Sequence, residues 1–292
     1  MQGVIIKAIS GFYYVETDKG IIECKARGRF RNDGTSPVVG DRVIINLSGK
    51  SGTIESINER KNMLSRPPIA NIDKLFIVSS AVIPAPNTVL IDRMTSICEY
   101  KNIEPIIVFN KTDLGEVESL KKIYLNAGFK TIVCSALTGE GIDEIKKELS
   151  GCICAFTGNS GVGKSSILNL IFSTLNLSTS DVSEKLGRGR HTTRHTELFS
   201  HEFGGYVADT PGFSSVENDK FDLEFRDLLP TLFRDFEKHR QICKFHDCKH
   251  VAEKGCGVIE AVKAGEIEKT RYDSYLAIYN ELRDVKPWEV RG

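Results

Sequence analysis

Residues 158–165 read Gly-Asn-Ser-Gly-Val-Gly-Lys-Ser, and no other stretch of this 292-residue chain constrains its fold as tightly. The pattern G-x-x-x-x-G-K-[ST] works only where a strand delivers the chain into a loop and a helix carries it away, because the loop's backbone N–H groups must converge on a phosphate. Both flanks comply: residues 153–157 are an apolar run of strand length, and 165–172 have helical character. In such a loop Gly158, Gly161 and Gly163 allow the turn, while Asn159, Ser160 and Val162 present amides. Lys164 neutralises the β/γ oxygens, the Ser165 hydroxyl is placed to ligate Mg2+, and Ser166 completes the phosphate-side set.

The octet closes a longer alternation. Strands over 74–81, 105–110, 131–135 and 153–157 alternate with helices over 88–100, 116–127 and 142–149, the pattern of βαβ units around a parallel sheet. Before them come five short β-rich runs, over 4–9, 12–16, 21–25, 42–46 and 53–57, separated by Gly, Asp and Asn turns. Five strands in so little chain predict a small β-barrel. After Phe213 the pattern is mainly helical. We therefore expect three domains, over 1–66, 67–217 and 218–292.

Three short motifs join the phosphate loop. Asn110-Lys111-Thr112-Asp113 ends an apolar strand, and a fixed carboxylate at Asp113 accepts the N1–H and amino protons that guanine presents and adenine does not. Asn110 and Lys111 belong to the same site. Ser135-Ala136-Leu137 ends the next strand, where a backbone N–H would meet the guanine O6. Asp209-Thr210-Pro211-Gly212 follows a third short strand, supplying a carboxylate behind Mg2+ and, at Gly212, an amide for the γ-phosphate. Thr192 and Thr193 lie upstream in a loop without apolar periodicity, where one of the two, Thr193 or Thr192, would complete the Mg2+ shell beside Ser165 in the triphosphate state.

The order of these motifs is rotated. A Ras-like GTPase places its phosphate loop first and NKxD late, whereas here NKTD and SAL precede GNSGVGKS, which precedes the threonine pair and DTPG. The chain resembles the circularly permuted GTPases. With a barrel before and a Cys/His segment after, it is similar over essentially its whole length to the ribosome small-subunit-dependent GTPases, the RsgA/YjeQ family. That resemblance implies an N-terminal OB-fold, a permuted α/β P-loop GTPase domain and a helical zinc-binding domain. It also implies GTP hydrolysis to GDP stimulated by the 30S subunit during late maturation, with contacts to 16S rRNA; a monomer is expected.

Cys243, Cys248, His250 and Cys256 form a Cys3His set within fourteen residues, suited to one tetrahedral Zn2+. Four protein ligands leave no open position, so the site reads as structural. His246 is a competing imidazole that the resemblance leaves out. The other five cysteines, Cys24, Cys98, Cys134, Cys152 and Cys154, fall in expected strands and helices and read as small core residues.

Lys plus Arg and Asp plus Glu both number 39, so the whole chain exerts no net pull on a polyanion. Any nucleic-acid contact must be local. Lys25, Arg27, Arg29 and Arg31 recur at period two beside Phe30, an expected RNA face on an extended segment. Lys185, Arg188, Arg190 and Arg194 lie in an acid-free tract with His191 and His195. Phe213 stands where Ras-like proteins use a water-orienting glutamine, so unaided hydrolysis should be slow. His191 is the candidate catalytic substitute, acting with Lys164. No apolar run reaches membrane-spanning length, and the first residues lack a basic stretch followed by an apolar one, so a cytoplasmic protein is expected. Two other readings stay open: a P-loop ATPase or kinase acting on a metabolite, and a zinc-containing RNA-binding module with a vestigial nucleotide site.

Overall fold

The computed structural model describes residues 1–28, 30, 35–65, 67–173, 196–209 and 223–283. Five N-terminal strands, β1 (Gln2–Ile9), β2 (Phe12–Thr17), β3 (Gly20–Ala26), β4 (Arg42–Ser48) and β5 (Ser51–Ile57), form the expected barrel. β1–β2, β2–β3 and β4–β5 pair antiparallel, β3 runs parallel to β5, and β4 returns to β1. Closure leaves no long unpaired edge among these strands. Ile5, Val15, Cys24, Val43, Ile45 and Ile54 fill the interior, at the alternating positions that a pleated strand turns to one side. Asp41, fully buried, accepts hydrogen bonds from Arg60 Nε at 2.7 Å and Nη2 at 2.8 Å and from the Val38 amide at 2.8 Å, tying the loop before β4 to the end of the barrel.

One expectation fails here. β3 ends at Ala26, so the period-two face does not continue through Arg27, which turns to pair with Glu55 at 2.7 Å. Phe30 is buried, because the chain bends after Arg27 and the ring enters the core; it offers no stacking platform. Arg29 and Arg31 lie outside the described residues.

A short hairpin, β6 (Met63–Ser65) and β7 (Pro68–Ala70), leads to the alternating region. That region contains β8 (Lys74–Ser80), α1 (Thr88–Tyr100), β9 (Glu104–Asn110), α2 (Glu118–Asn126), β10 (Lys130–Val133), α3 (Ile142–Leu149), β11 (Ile153–Thr157) and α4 (Lys164–Ser173). After it come β12 (Glu197–His201) and β13 (Gly205–Asp209), followed by helices α5 (Leu223–Leu228), α6 (Glu237–Arg240), α7 (Gly257–Lys263) and α8 (Lys269–Arg283).

The chain folds as two compact units. One holds the described residues of Met1–Leu75, Ile142–Thr157 and Lys164–Val216. In it β11 lies parallel to β13, β12 is antiparallel to β13, and β1 of the barrel pairs with β12, with Lys7 opposite Glu197 and their side chains 2.8 Å apart. The barrel is therefore hydrogen-bonded directly to the β12–β13 hairpin. The other unit holds the described residues of Phe76–Gly141, Gly158–Gly163 and Glu217–Gly292. There β9 lies between β8 and parallel β10, and its last six residues are buried, as expected of a parallel strand covered on both faces. The C-terminal helix α8 packs along α1. Among the described residues no helix is long and apolar enough to cross a membrane.

Candidate functional site

The sequence motifs 110–113, 135–137 and 158–163 converge within the second unit, and Asn110 is the joint. This last residue of β9 is almost wholly buried; its Nδ2 donates to the Val162 carbonyl at 2.9 Å, and its Oδ1 accepts the Ala136 amide at 2.9 Å. One carboxamide so fixes the phosphate loop against the SAL loop. The fit is tight: a Cβ on Gly163, where φ is +95°, would fall 2.2 Å from Asn110 Nδ2, and one on Gly158, at φ +138°, would fall 2.0 Å from the Val78 carbonyl. Only glycine satisfies both the backbone and the approach at these two positions.

Asp113 lies in a 3-10 turn over Thr112–Leu114 and is exposed. Its Oδ1 accepts the Ser135 hydroxyl at 2.6 Å, and Ser135 Oγ in turn accepts the Leu137 and Thr138 amides, each at 3.2 Å. The carboxylate is thus held by one oxygen, with Oδ2 remaining to accept from a ligand. Of the 135–137 loop, from which a backbone N–H is expected to meet a guanine O6, the Ala136 amide is engaged by Asn110 in this structure, a pairing that spacing along the chain did not reveal. Lys164 opens α4, with Ser165 and Ser166 exposed in its first turn. Asp209 closes β13 in register with Glu197. His191, Thr192, Thr193, Gly212, Phe213 and the basic tract 185–195 lie outside the described residues.

The second cluster is Cys243, Cys248, His250 and Cys256, whose ligand atoms all lie within 4.8 Å of one another. A tetrahedral ion with bonds of about 2.3 Å to sulfur and about 2.0 Å to nitrogen would set sulfurs about 3.8 Å apart and sulfur to nitrogen about 3.5 Å. The observed separations are 3.9 Å for Cys243 Sγ to Cys256 Sγ, and 3.6 Å and 3.3 Å from His250 Nδ1 to these two sulfurs. The cluster fits a metal ion. Its surroundings agree: the Gly257 amide points at Cys243 Sγ from 3.3 Å and the Ile259 amide at Cys256 Sγ from 3.4 Å, at the start of α7. Burial pushes the Cys248 thiol up to about 12 and raises Cys256 as well, so thiolates here need a cation beside them. Burial lowers His250, which favours the neutral imidazole that ligates. Tyr272 Oη donates to the His250 carbonyl at 2.8 Å and steadies that residue at φ 56°. His246 stands outside the set. Of the remaining cysteines, Cys24, Cys98, Cys134 and Cys154 are buried and Cys152 is half-buried.

Sequence reasoning missed one charged cluster altogether. Arg271 of α8, 1% exposed, donates to Asp92 of α1 at 2.6 Å and to Asp235 at 2.7 Å and 3.2 Å. Its guanidinium also lies over the rings of Phe233 and Phe129, 4.7 Å and 5.2 Å from their centroids. No spacing announces a contact between residues so far apart in the chain.

A phosphate loop between strand and helix, an NKxD turn locked to it by Asn110, and the rotated motif order define a circularly permuted P-loop GTPase behind a five-stranded barrel. Comparison with known proteins agrees. Residues 57–219 match the model of the RsgA GTPase and residues 2–54 that of the RsgA N-terminal domain. The small ribosomal subunit biogenesis GTPase RsgA of Caldanaerobacter subterraneus is 48% identical, the match covering 100% of this chain and 98% of the relative. Its namesake from Geobacillus thermodenitrificans is 45% identical over 98% of this chain and 99% of its own. The crystal structure of YjeQ from Thermotoga maritima superposes with a TM-score of 0.82 at 36% identity, covering 98% of this chain and 99% of that one. YloQ, described as a circularly permuted GTPase, gives a TM-score of 0.82 at 37% identity, over 98% and 96% of the two chains. The chain belongs to the RsgA GTPase family.

Proposed function

We propose that this GTPase acts on the small ribosomal subunit late in its maturation and that the 30S particle stimulates its turnover. The guanine reading is carried by one observation: Asp113, held through Ser135, and Asn110, bonded to Val162 and Ala136, gather on the phosphate loop. The ribosomal reading rests on the name its curated relatives bear.

In this reading the Asp113 carboxylate accepts hydrogen bonds from the guanine N1–H and amino group, and the Ala136 amide turns from Asn110 to O6. The amides of 158–163 and the Lys164 ammonium hold the β/γ-phosphates, with Ser165 and Ser166 beside them. Ser165 and one of Thr192 and Thr193, with Asp209 behind, would hold Mg2+, which would supply neutralisation of phosphate charge. Gly212 binds the γ-phosphate. His191 orients the water whose oxygen attacks γ-phosphorus while the bond to the β–γ bridging oxygen breaks, giving GDP and phosphate. Phe213 has no group that bonds water, so slow unaided turnover is part of the proposal. Zn2+ is the metal whose preferences three thiolates and one imidazole meet, and its role is structural. We assign the contacts with 16S rRNA to the basic tracts, the division of labour to segments 1–66, 67–217 and 218–292, and the working form to a cytoplasmic monomer.

The test is the GTPase rate of the full chain with and without purified 30S subunits. A rate unmoved by 30S overturns the ribosomal reading. Asp113→Asn tests the base independently: preference should move from GTP toward XTP by roughly 100-fold or more, because xanthine offers an oxygen where guanine offers its amino group.

A further inference from the structure

The lysine of NKTD is anchored outside the motif. Lys111 sits at φ 67°, a left-handed conformation that a side-chain-bearing residue holds only when its surroundings insist. Its Nζ donates to the Ile83 carbonyl at 2.8 Å. The same carbonyl accepts the Ser80 hydroxyl at 2.7 Å, and Ser80 Oγ accepts the Val82 amide at 3.3 Å. Ser80, at the end of β8, is 0% exposed, whereas the Ile83 side chain is 66% exposed, so Ile83 contributes its carbonyl and not its packing.

The loop after β8 is stitched in on both flanks. On one side the Ala81 amide donates to the Asn110 carbonyl at 2.7 Å, immediately before Lys111. On the other, Pro84 Cδ stands 4.0 Å from where a Cβ on Gly161 of the phosphate loop would lie. A carbonyl has two lone pairs, and here one is taken by a buried hydroxyl that cannot wander. The peptide plane at Ile83 is thereby set with its other lone pair toward Lys111. A lysine stem pinned at its ammonium end presents a flat apolar wall, and its rotamer freedom is already lost before a ligand arrives.

We propose that Ser80 is a positioning residue for guanine-nucleotide binding: by orienting the Ile83 carbonyl it holds Lys111 as a preformed wall of the base pocket. This rests on reading 110–113 as the guanine site. Ser80 belongs to no nucleotide motif and lies thirty residues upstream of NKTD.

GDP titration of the full chain by calorimetry tests it. Ser80→Ala should raise the Kd for GDP about tenfold, the scale of a hydrogen bond that orients a charged group, and Ser80→Thr, which restores a hydroxyl, should return it to near the wild-type value. In a Lys111→Met background, Ser80→Ala should change the Kd by less than about twofold, since the ammonium it orients is gone. Wild-type affinity in Ser80→Ala overturns the proposal. So does a full tenfold loss in the Lys111→Met background, or a folded Ser80→Thr as weak as the alanine variant. Thermal melting reports folding; should Ser80→Ala not fold, Ser80→Cys, of similar size but a weaker donor, takes its place with the same outcomes. Failure of the wild-type chain to bind GDP would instead overturn the guanine reading itself.

Discussion

At the residue scale, two kinds of position do the work: those where one side chain closes several loops, and those where no side chain is tolerated. Asn110 is the first kind and Gly163 the second, and they are the same contact seen from its two sides. Gly163→Ala would have to displace Asn110 Nδ2 and also hold a left-handed backbone, so it should weaken GDP binding at least about tenfold, measured by titration, with a loss of about 1–3 kcal/mol in stability. The glycines, NKTD and SAL were all legible in the sequence, because phosphate and base recognition demand particular residues at short spacing. That Asn110 would occupy the Ala136 amide was not, since it depends on where two loops meet. Phe30 failed for a related reason: alternation predicts a face only while the strand lasts, and this strand stops at Ala26.

At the scale of elements, helices α1 and α8 are joined by buried charge as well as by packing. Arg271 has two carboxylate partners in a place that water does not reach, so removing it strands both Asp92 and Asp235. Arg271→Ala should cost about 3–5 kcal/mol in chemical denaturation. Arg271→Lys should recover only part of that, because an ammonium does not reproduce the fork that bonds Asp235 at two nitrogens. The metal cluster behaves differently, since its four ligands lie within fourteen residues and were readable from spacing alone. Freshly purified protein should carry about one Zn2+ per chain, and Cys256→Ser should lower that occupancy by metal analysis and loosen the packing around His250, Phe236 and Tyr275. GDP binding should persist, because the nucleotide motifs supply none of the four ligands.

At the scale of the whole molecule, a chain with 39 basic and 39 acidic side chains has no global attraction for RNA, so recruitment to a ribosomal subunit must come from concentrated tracts. One such tract is 185–195, with four Lys or Arg, two His and no acid, and it also contains the threonine pair and His191. In the proposed reading recruitment and catalysis share one short segment, and their variants separate in a single assay, GTPase rate against 30S concentration. If Arg188 and Arg190 contact rRNA phosphates as proposed, replacing them should move the midpoint to higher 30S, more so as salt rises, because each lost contact is one fewer counterion release. His191→Ala should instead lower the plateau while the midpoint and GTP affinity hold, because in the proposed reading the imidazole acts only in the transition state. Phe213 is the reason the effect should be large: with no glutamine after DTPG, His191, directly before the threonine pair, carries an imidazole that can accept a proton from water and donate one to it. A full plateau in His191→Ala would move that role to another residue of the chain or to the ribosome.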